Sequence, residues 1–248
     1  KTAIQNGDDL YVEKSEVVTL SGNIAILSRA MVSKLVLLSV TTLTLDSVVV
    51  DTVDALDSPS TPSRLLAESD NPWFTTLVAN AQDQGDSLSF TTLFEQDDPM
   101  VNTLKETWQF AKYDTVSITD CVTVNISQVM IRDQHLSDGS ALSLTWNVSM
   151  PSEDRQASSS TISGVYLFDN YSLSKSGGLN FVNPPNVAVL TGVFNRNYSL
   201  EYKGGALASS CSSLLDDCKL KIAQGESSTS PKVSFANNIA KIAGGAIY

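Results

Sequence analysis

The sequence predicts an all-β chain folded as a parallel β-helix, a stack of coils made from short strands. Three observations predict it. A short asparagine-centred pattern recurs, often at intervals of about 22 residues, within the range of known repeat architectures. The segments between its copies are short, apolar and rich in β-branched residues. Paired glycines follow the later copies at a nearly fixed distance. A coil of about 22 residues holds two or three strands with their turns, too little chain for a propeller blade, and the pattern of a leucine-rich repeat is missing.

The pattern is an apolar residue, two variable residues, Asn, then Ile, Val or Tyr, then Ser or Ala. Its six copies run from Leu20 to Asn23-Ile24-Ala25, Val122 to Asn125-Ile126-Ser127, Leu144 to Asn147-Val148-Ser149, Leu167 to Asn170-Tyr171-Ser172, Phe194 to Asn197-Tyr198-Ser199 and Phe235 to Asn238-Ile239-Ala240. From Asn125 onward the asparagines are nearly evenly spaced as far as Asn170, and the interval then widens to Asn197 and again to Asn238. A weaker relative, Leu43 to Asp46, follows Asn23 at the same short interval. Coils stack at the strand spacing of a sheet, about 4.8 Å. Asparagines at one turn of every coil can then pass hydrogen bonds from amide to amide. Asn also accepts the left-handed backbone of a tight corner. Asn23, Asn125, Asn147, Asn170, Asn197 and Asn238 are therefore the expected ladder. The apolar residue three earlier points inward, and the small Ser or Ala leaves room at the corner.

In chain order, residues 1–50 read as the first coils, with strands at Val17-Val18-Thr19-Leu20 and within Leu35–Val50. Residues 51–112 read as an insertion or lateral subdomain. It opens on the loop signal DALDSPSTPSR and holds Pro72-Trp73-Phe74. A helix is predicted near Pro99–Tyr113, with Val101, Leu104 and Trp108 on one face. Residues 113–248 return to coils, with strands at Val116–Ile118, Val122–Val124, Val129–Ile131 and Leu142–Leu144. Met150–Ser160 and Ala208–Pro231 read as polar loops projecting from the stack. Six residues separate Asn197 from Gly204-Gly205-Ala206-Leu207, five separate Asn238 from Gly244-Gly245-Ala246-Ile247, and six separate Asn170 from a degenerate Gly177-Gly178-Leu179. Paired glycines permit a sharp turn before the next strand. The chain opens at Lys1 with no signal segment and stops at Tyr248 inside a repeat, so it reads as a piece of a longer protein.

The pairing of FxxN with GGA(I/L/V) resembles the repeat of the chlamydial polymorphic membrane proteins, which are autotransporter adhesins. Phe194–Asn197 with Gly204–Leu207, and Phe235–Asn238 with Gly244–Ile247, carry the resemblance. It covers roughly residues 170–248, with traces back to Asn125 and at Asn23. Similar repeats occur in extracellular proteins of single-celled eukaryotes. The resemblance implies a right-handed parallel β-helix, surface exposure and adhesion carried by the repeats.

Charge and composition exclude other functions. With 16 basic and 27 acidic residues the net charge is -11. That disfavours nucleic acid and anionic membranes, which need clustered basic residues. The apolar run at Leu35–Leu38 is too short to span a bilayer. A single histidine, His135, leaves little for histidine-based catalysis or metal binding. Asp51, Asp54 and Asp57, Asp97-Asp98 and Asp216-Asp217 lack the glycine-punctuated spacing of a calcium loop, so no metal or cofactor is expected. Polysaccharide-cleaving β-helices align carboxylates or a metal across neighbouring coils. Here Asp120, Arg132 and Asp133 are the only compact charged group near strand-like sequence, and the expectation is no enzyme.

An extracellular or cell-surface location is expected, with a host-cell receptor or glycan as partner. The alternative is a self-assembling surface fibre, whose partners are copies of the chain. Asn125, Asn147, Asn170 and Asn197 also stand in N-x-[ST] sequons. An asparagine facing inward cannot carry a glycan, so the ladder competes with this reading. Asn170 and Asn197 are the favoured acceptors if the turn faces out. Cys211 and Cys218 fit a small disulfide-closed loop and equally two free thiols. Cys121, beside a strand, reads as a small buried hydrophobe.

Overall fold

The computed structural model describes residues 3–5, 10–21, 24–27, 35–51, 111–223 and 232–248. The described chain is nearly all β, arranged as a parallel β-helix. Its first sheet stacks β1 (Ala3–Gln5), β4 (Ile24–Leu27), β6 (Thr42–Asp51), β8 (Thr123–Arg132), β11 (Ser159–Phe168), β14 (Val187–Asn195) and β17 (Leu220–Ile222). β3 (Val17–Leu20) also pairs with β6, and β18 (Val233–Ala236) with β14. The second sheet stacks β2 (Leu10–Glu13), β5 (Leu35–Leu38), β7 (Val116–Thr119), β10 (Leu142–Thr145), β13 (Leu179–Val182) and β16 (Leu207–Ser210). The third is narrow: β9 (His135–Leu136), β12 (Tyr171–Ser172), β15 (Tyr198–Ser199) and β19 (Ile239–Ala240). From β8 onward the chain visits first, third and second sheet in turn, then climbs to the next coil.

Register gives the coil length. Ala3 pairs with Ala25 and Ala25 with Val49, so these coils keep close to the expected period of about 22 residues. Later coils are longer. Val129 pairs with Val165, Val165 with Gly192 and Gly192 with Val233, and each of these steps spends more chain than the first ones. The expected period therefore holds at the start and fails afterwards, because added residues leave the stack at its corners. Met150–Ser160 is one such excursion. It holds a helix, α1 (Ser152–Ala157), and its end already belongs to β11. The expected loop at Ala208–Pro231 includes the end of β16 and all of β17. The insertion expected at 51–112, with its helix near Pro99–Tyr113, falls almost wholly outside the described residues.

The core follows from alternation. In β5 and β7 every second residue is buried: Leu35, Leu37, Val116 and Ile118 are at most 1% exposed. Their register partners continue the columns through Leu142 and Leu144, Leu179 and Phe181, to Leu207. The first sheet faces them with Leu43, Leu45, Val124, Ile126, Ile131, Leu167 and Phe194. Each such side chain stabilises the fold by roughly 1.5–3 kcal/mol. Trp146, buried among them, donates its indole N–H to the Cys121 carbonyl at 2.9 Å.

The corners are marked by backbone. Asp133, Asp169, Arg196 and Asn237 all have positive φ and share one corner, between the first and third sheets. Lys14, Ser39, Asp120 and Asn183 do the same where the second sheet ends. Ser47, Gln128 and Gly164 form a third column where the first sheet bends. At each of these positions the chain turns on a single left-handed residue, a conformation Asn, Asp and Gly adopt most readily.

Candidate functional site

The residues singled out by the repeat converge on the corner between the first and third sheets. Asn170 and Asn197 occupy successive coils there with no exposed surface. The Asn170 Nδ2 donates to Asn197 Oδ1 at 2.9 Å and to the Ile131 carbonyl below at 3.1 Å. Asn197 repeats the pattern, donating to Asn238 Oδ1 at 3.0 Å and to the Leu167 carbonyl at 2.9 Å. Asn238 donates to the Phe194 carbonyl at 2.8 Å. Each side chain thus reaches back to the apolar residue of the preceding coil. Buried polar atoms need such partners, and chains of them polarise one another.

Two of the six expected rungs lie elsewhere. Asn125 lies in mid-strand in β8, exposed, between Thr44 and Thr161 of neighbouring coils. Asn147 lies just beyond β10 in an exposed turn and bonds Asp120 through its backbone N–H (2.7 Å) and side chain (2.6 Å). Both asparagines have an apolar residue three earlier, but those residues belong to other segments of the coil. Asn23 falls outside the described residues. The rung below Asn170 is instead Gln134, only 3% exposed, whose backbone N–H donates to Asn170 Oδ1 at 3.2 Å. Its longer side chain folds onto the Arg132 carbonyl and accepts from Thr115 Oγ1 at 3.3 Å.

The glycine pairs belong to the same contact. Leu142, Leu179, Leu207 and Ile247 share one column, so the register equivalents of Gly204-Gly205-Ala206 are Gly139-Ser140-Ala141, Ser176-Gly177-Gly178 and Gly244-Gly245-Ala246. The degenerate Gly177-Gly178 copy is thus shifted by one residue. A Cβ on Gly177 would lie 2.6 Å from both the N and O of Tyr198, and one on Gly205 2.3 Å from the Gly245 carbonyl oxygen and 2.5 Å from that of Ile239. The residue after the asparagine of one coil presses against the glycine of the coil before. FxxN and GGA therefore recur together because each is half of one inter-coil contact. Gly204, with φ +69°, makes the turn into it.

Aromatic rings extend the stack. Tyr171 and Tyr198 stack at 4.8 Å, with His135 edge-on to Tyr171 at 5.0 Å. Phe194 and Phe235 stack at 4.9 Å inside the core. Beside the ladder, Arg196 binds Asp169 of the preceding coil through two hydrogen bonds of 2.6 and 3.0 Å.

Phe194, Asn197, Gly204, Gly205, Ala206 and Leu207 are all buried. Adhesion through direct contact with the FxxN and GGA residues of this coil, as the sequence suggested, is therefore corrected: they have no surface to offer. Phe235, Asn238, Gly244, Gly245 and Ala246 keep partial exposure on the following coil, and Ile247 is exposed. The charged group Asp120, Arg132 and Asp133 is also dispersed. Asp120 sits at the corner that ends the second sheet, whereas Asp133 sits at the corner that ends the first and pairs with His135 at 3.3 Å. Among the described residues, no group of three or more His, Cys, Asp or Glu could hold a metal, and no helix is long and apolar enough to cross a membrane.

The cysteines separate cleanly. Cys211 and Cys218 form a disulfide at the corner after β16. Cys121 is buried, and burial pushes its thiol up to about 11, leaving it inert as a nucleophile. The disulfide loop is tied to α1. Arg155, only 5% exposed, donates from Nε to both Asp217 carboxylate oxygens at 2.9 and 2.8 Å. Those bonds hold the Asp217 carboxyl below the usual carboxylate range. A carboxyl depressed in the folded state stabilises above its unfolded pKa of about 3.9 and loses that contribution as pH falls. Asp217→Asn is expected to cost roughly 1–2 kcal/mol at pH 7, less than a fully buried pair because Asp217 faces solvent. The gap between the two proteins should close as pH drops below about 4 in urea titrations. A gap independent of pH would remove the ion pair from the account.

No protein-family model, no curated protein and no solved structure matches the chain.

Proposed function

We propose that this chain is a non-catalytic extracellular β-helix that acts in cell-surface adhesion through the outer face of its first sheet. One observation carries the reading. In the first halves of β6, β8 and β11, and at Thr19 of β3, the alternate residues that point away from the core form ordered columns of small polar groups, whereas the later halves carry the apolar Val49, Met130 and Phe168. One column is Thr19, Thr44, Asn125 and Thr161; beside it run Thr42, Thr123 and Ser159, with the exposed Val17 of β3 at their end. Hydroxyls and amides both donate and accept, so such a face suits the hydroxyls of a neutral glycan. Charge is sparse in it, with Asp46 on its flank already bonded to Ser127 at 2.6 Å. The resemblance of the repeats to adhesin repeats supports the same reading.

The test is to place charge on the face while leaving the core alone. The triple variant Thr44→Lys, Thr123→Lys and Thr161→Lys is expected to fold and to lose at least about tenfold in binding to cells or immobilised neutral glycans, the scale of one or two lost hydrogen bonds. Undiminished binding would sink the proposed face. Asn125 stands in its middle, so the reading also requires that Asn125 carry no glycan. A fibre subunit would instead associate with itself as concentration rises, with or without these lysines.

A further inference from the structure

Of the four sequons, the fold leaves one in a turn that stands clear of every sheet. We infer that Asn147 is an N-linked glycan acceptor and that Asn170 and Asn197 are not. Asn147-Val148-Ser149 is exposed throughout and forms the first three positions of a turn closed by the Met150 N–H on the Asn147 carbonyl at 3.1 Å. Glycosylated sequons are surface-loop features of secreted proteins. The Asn147 amide donates one hydrogen bond, to Asp120 Oδ2 at 2.6 Å. A glycan replaces one of the two amide hydrogens, so the other can keep that bond.

The buried pair has no such freedom. Asn170 Nδ2 donates to both Ile131 and Asn197, and Asn197 Nδ2 to both Leu167 and Asn238. Both amide hydrogens are spent, and neither residue has exposed surface. A glycan at either would displace the neighbouring coil. Asn125 is exposed too, but it lies flat in β8 with paired strands on both sides rather than in a turn. The Cys211–Cys218 disulfide supplies an independent indication. Disulfides form and persist in oxidising compartments, the secretory route on which N-glycans are attached. This inference shares with the proposed function only the extracellular placement.

The experiment secretes the 248-residue chain from an insect or mammalian cell line and maps glycan sites by peptide mass after N-glycosidase treatment in heavy-oxygen water. The expected result is occupancy at Asn147 with Asn170 and Asn197 unmodified in the secreted, folded fraction. Ser149→Ala removes the sequon without touching the Asn147–Asp120 bonds, and should lower the mass by one glycan with an unchanged melting curve. An unmodified Asn147, an unchanged mass for Ser149→Ala, or a glycan on Asn170 or Asn197 of folded protein would each overturn the inference.

Discussion

Asn197→Ala is expected to destabilise the protein by roughly 2–4 kcal/mol, the sum of a few buried hydrogen bonds and the space left behind. Three side-chain bonds disappear together: two donated to Leu167 and Asn238, and one accepted from Asn170. No exposed surface is present through which water could replace them. Asn197→Asp is expected to be worse, because it sets a carboxylate oxygen against the Leu167 carbonyl in a buried site. The informative control is Asn125→Ala. It alters the same local motif at an exposed position and should stay within about 0.5 kcal/mol of the parent. Chemical denaturation of the three variants measures both. If Asn125→Ala cost as much as Asn197→Ala, the motif rather than the corner would be setting stability, and the assignment of the ladder would fail.

Gly205→Ala should be at least as damaging, with an expected cost of about 3 kcal/mol or more, the upper end for overpacking. The added carbon would lie 2.3 Å from the Gly245 carbonyl oxygen, and backbone on the next coil cannot swing aside as a side chain can. Gly205 is not in a left-handed conformation, so the penalty is steric. Gly245→Ala gives an internal scale. The same motif position there meets its nearest atom, the Asn238 carbonyl oxygen, at 3.0 Å, and a smaller loss is expected. Thermal melts of the pair decide the point: equal losses would mean that glycine is needed for turn conformation, not for close approach.

The architecture was legible because strands that face a common core carry β-branched and apolar residues in short bursts, as Val116–Ile118 and Leu142–Leu144 do. The rungs at Asn170, Asn197 and Asn238 were legible for a different reason: each follows an inward Leu or Phe and precedes a glycine pair. Asn125 and Asn147 imitate the first half of that signature only. Val122 precedes a strand of the first sheet and Leu144 sits inside a strand of the second, so the same short string met two other parts of the coil. The even spacing of Asn125, Asn147 and Asn170 then resembled a coil length by coincidence. Gln134 was missed because its residue type differs. Its signal was the second half: Gly139-Ser140-Ala141-Leu142 follows it much as Gly244-Gly245-Ala246-Ile247 follows Asn238. The tie between Arg155 and Asp217 was not legible at all, since 62 residues separate the partners and only the stacking of coils brings their loops together.

The short coil from Ala3 to Ala25 and the long one from Gly192 to Val233 rise by the same step, because the step is the distance between paired strands and not the amount of chain spent on a turn. That separates reach from mass. Every additional coil lifts the tip of the rod by about 4.8 Å, however economical it is, while every residue added at a corner widens the rod and lifts nothing. Among the described residues, the seven levels of the first sheet therefore span only about 29 Å from first to last. Lineages that need to touch something farther away must duplicate coils. Those that need to touch something different can elaborate a corner, and the height at which the rod presents it stays where it was.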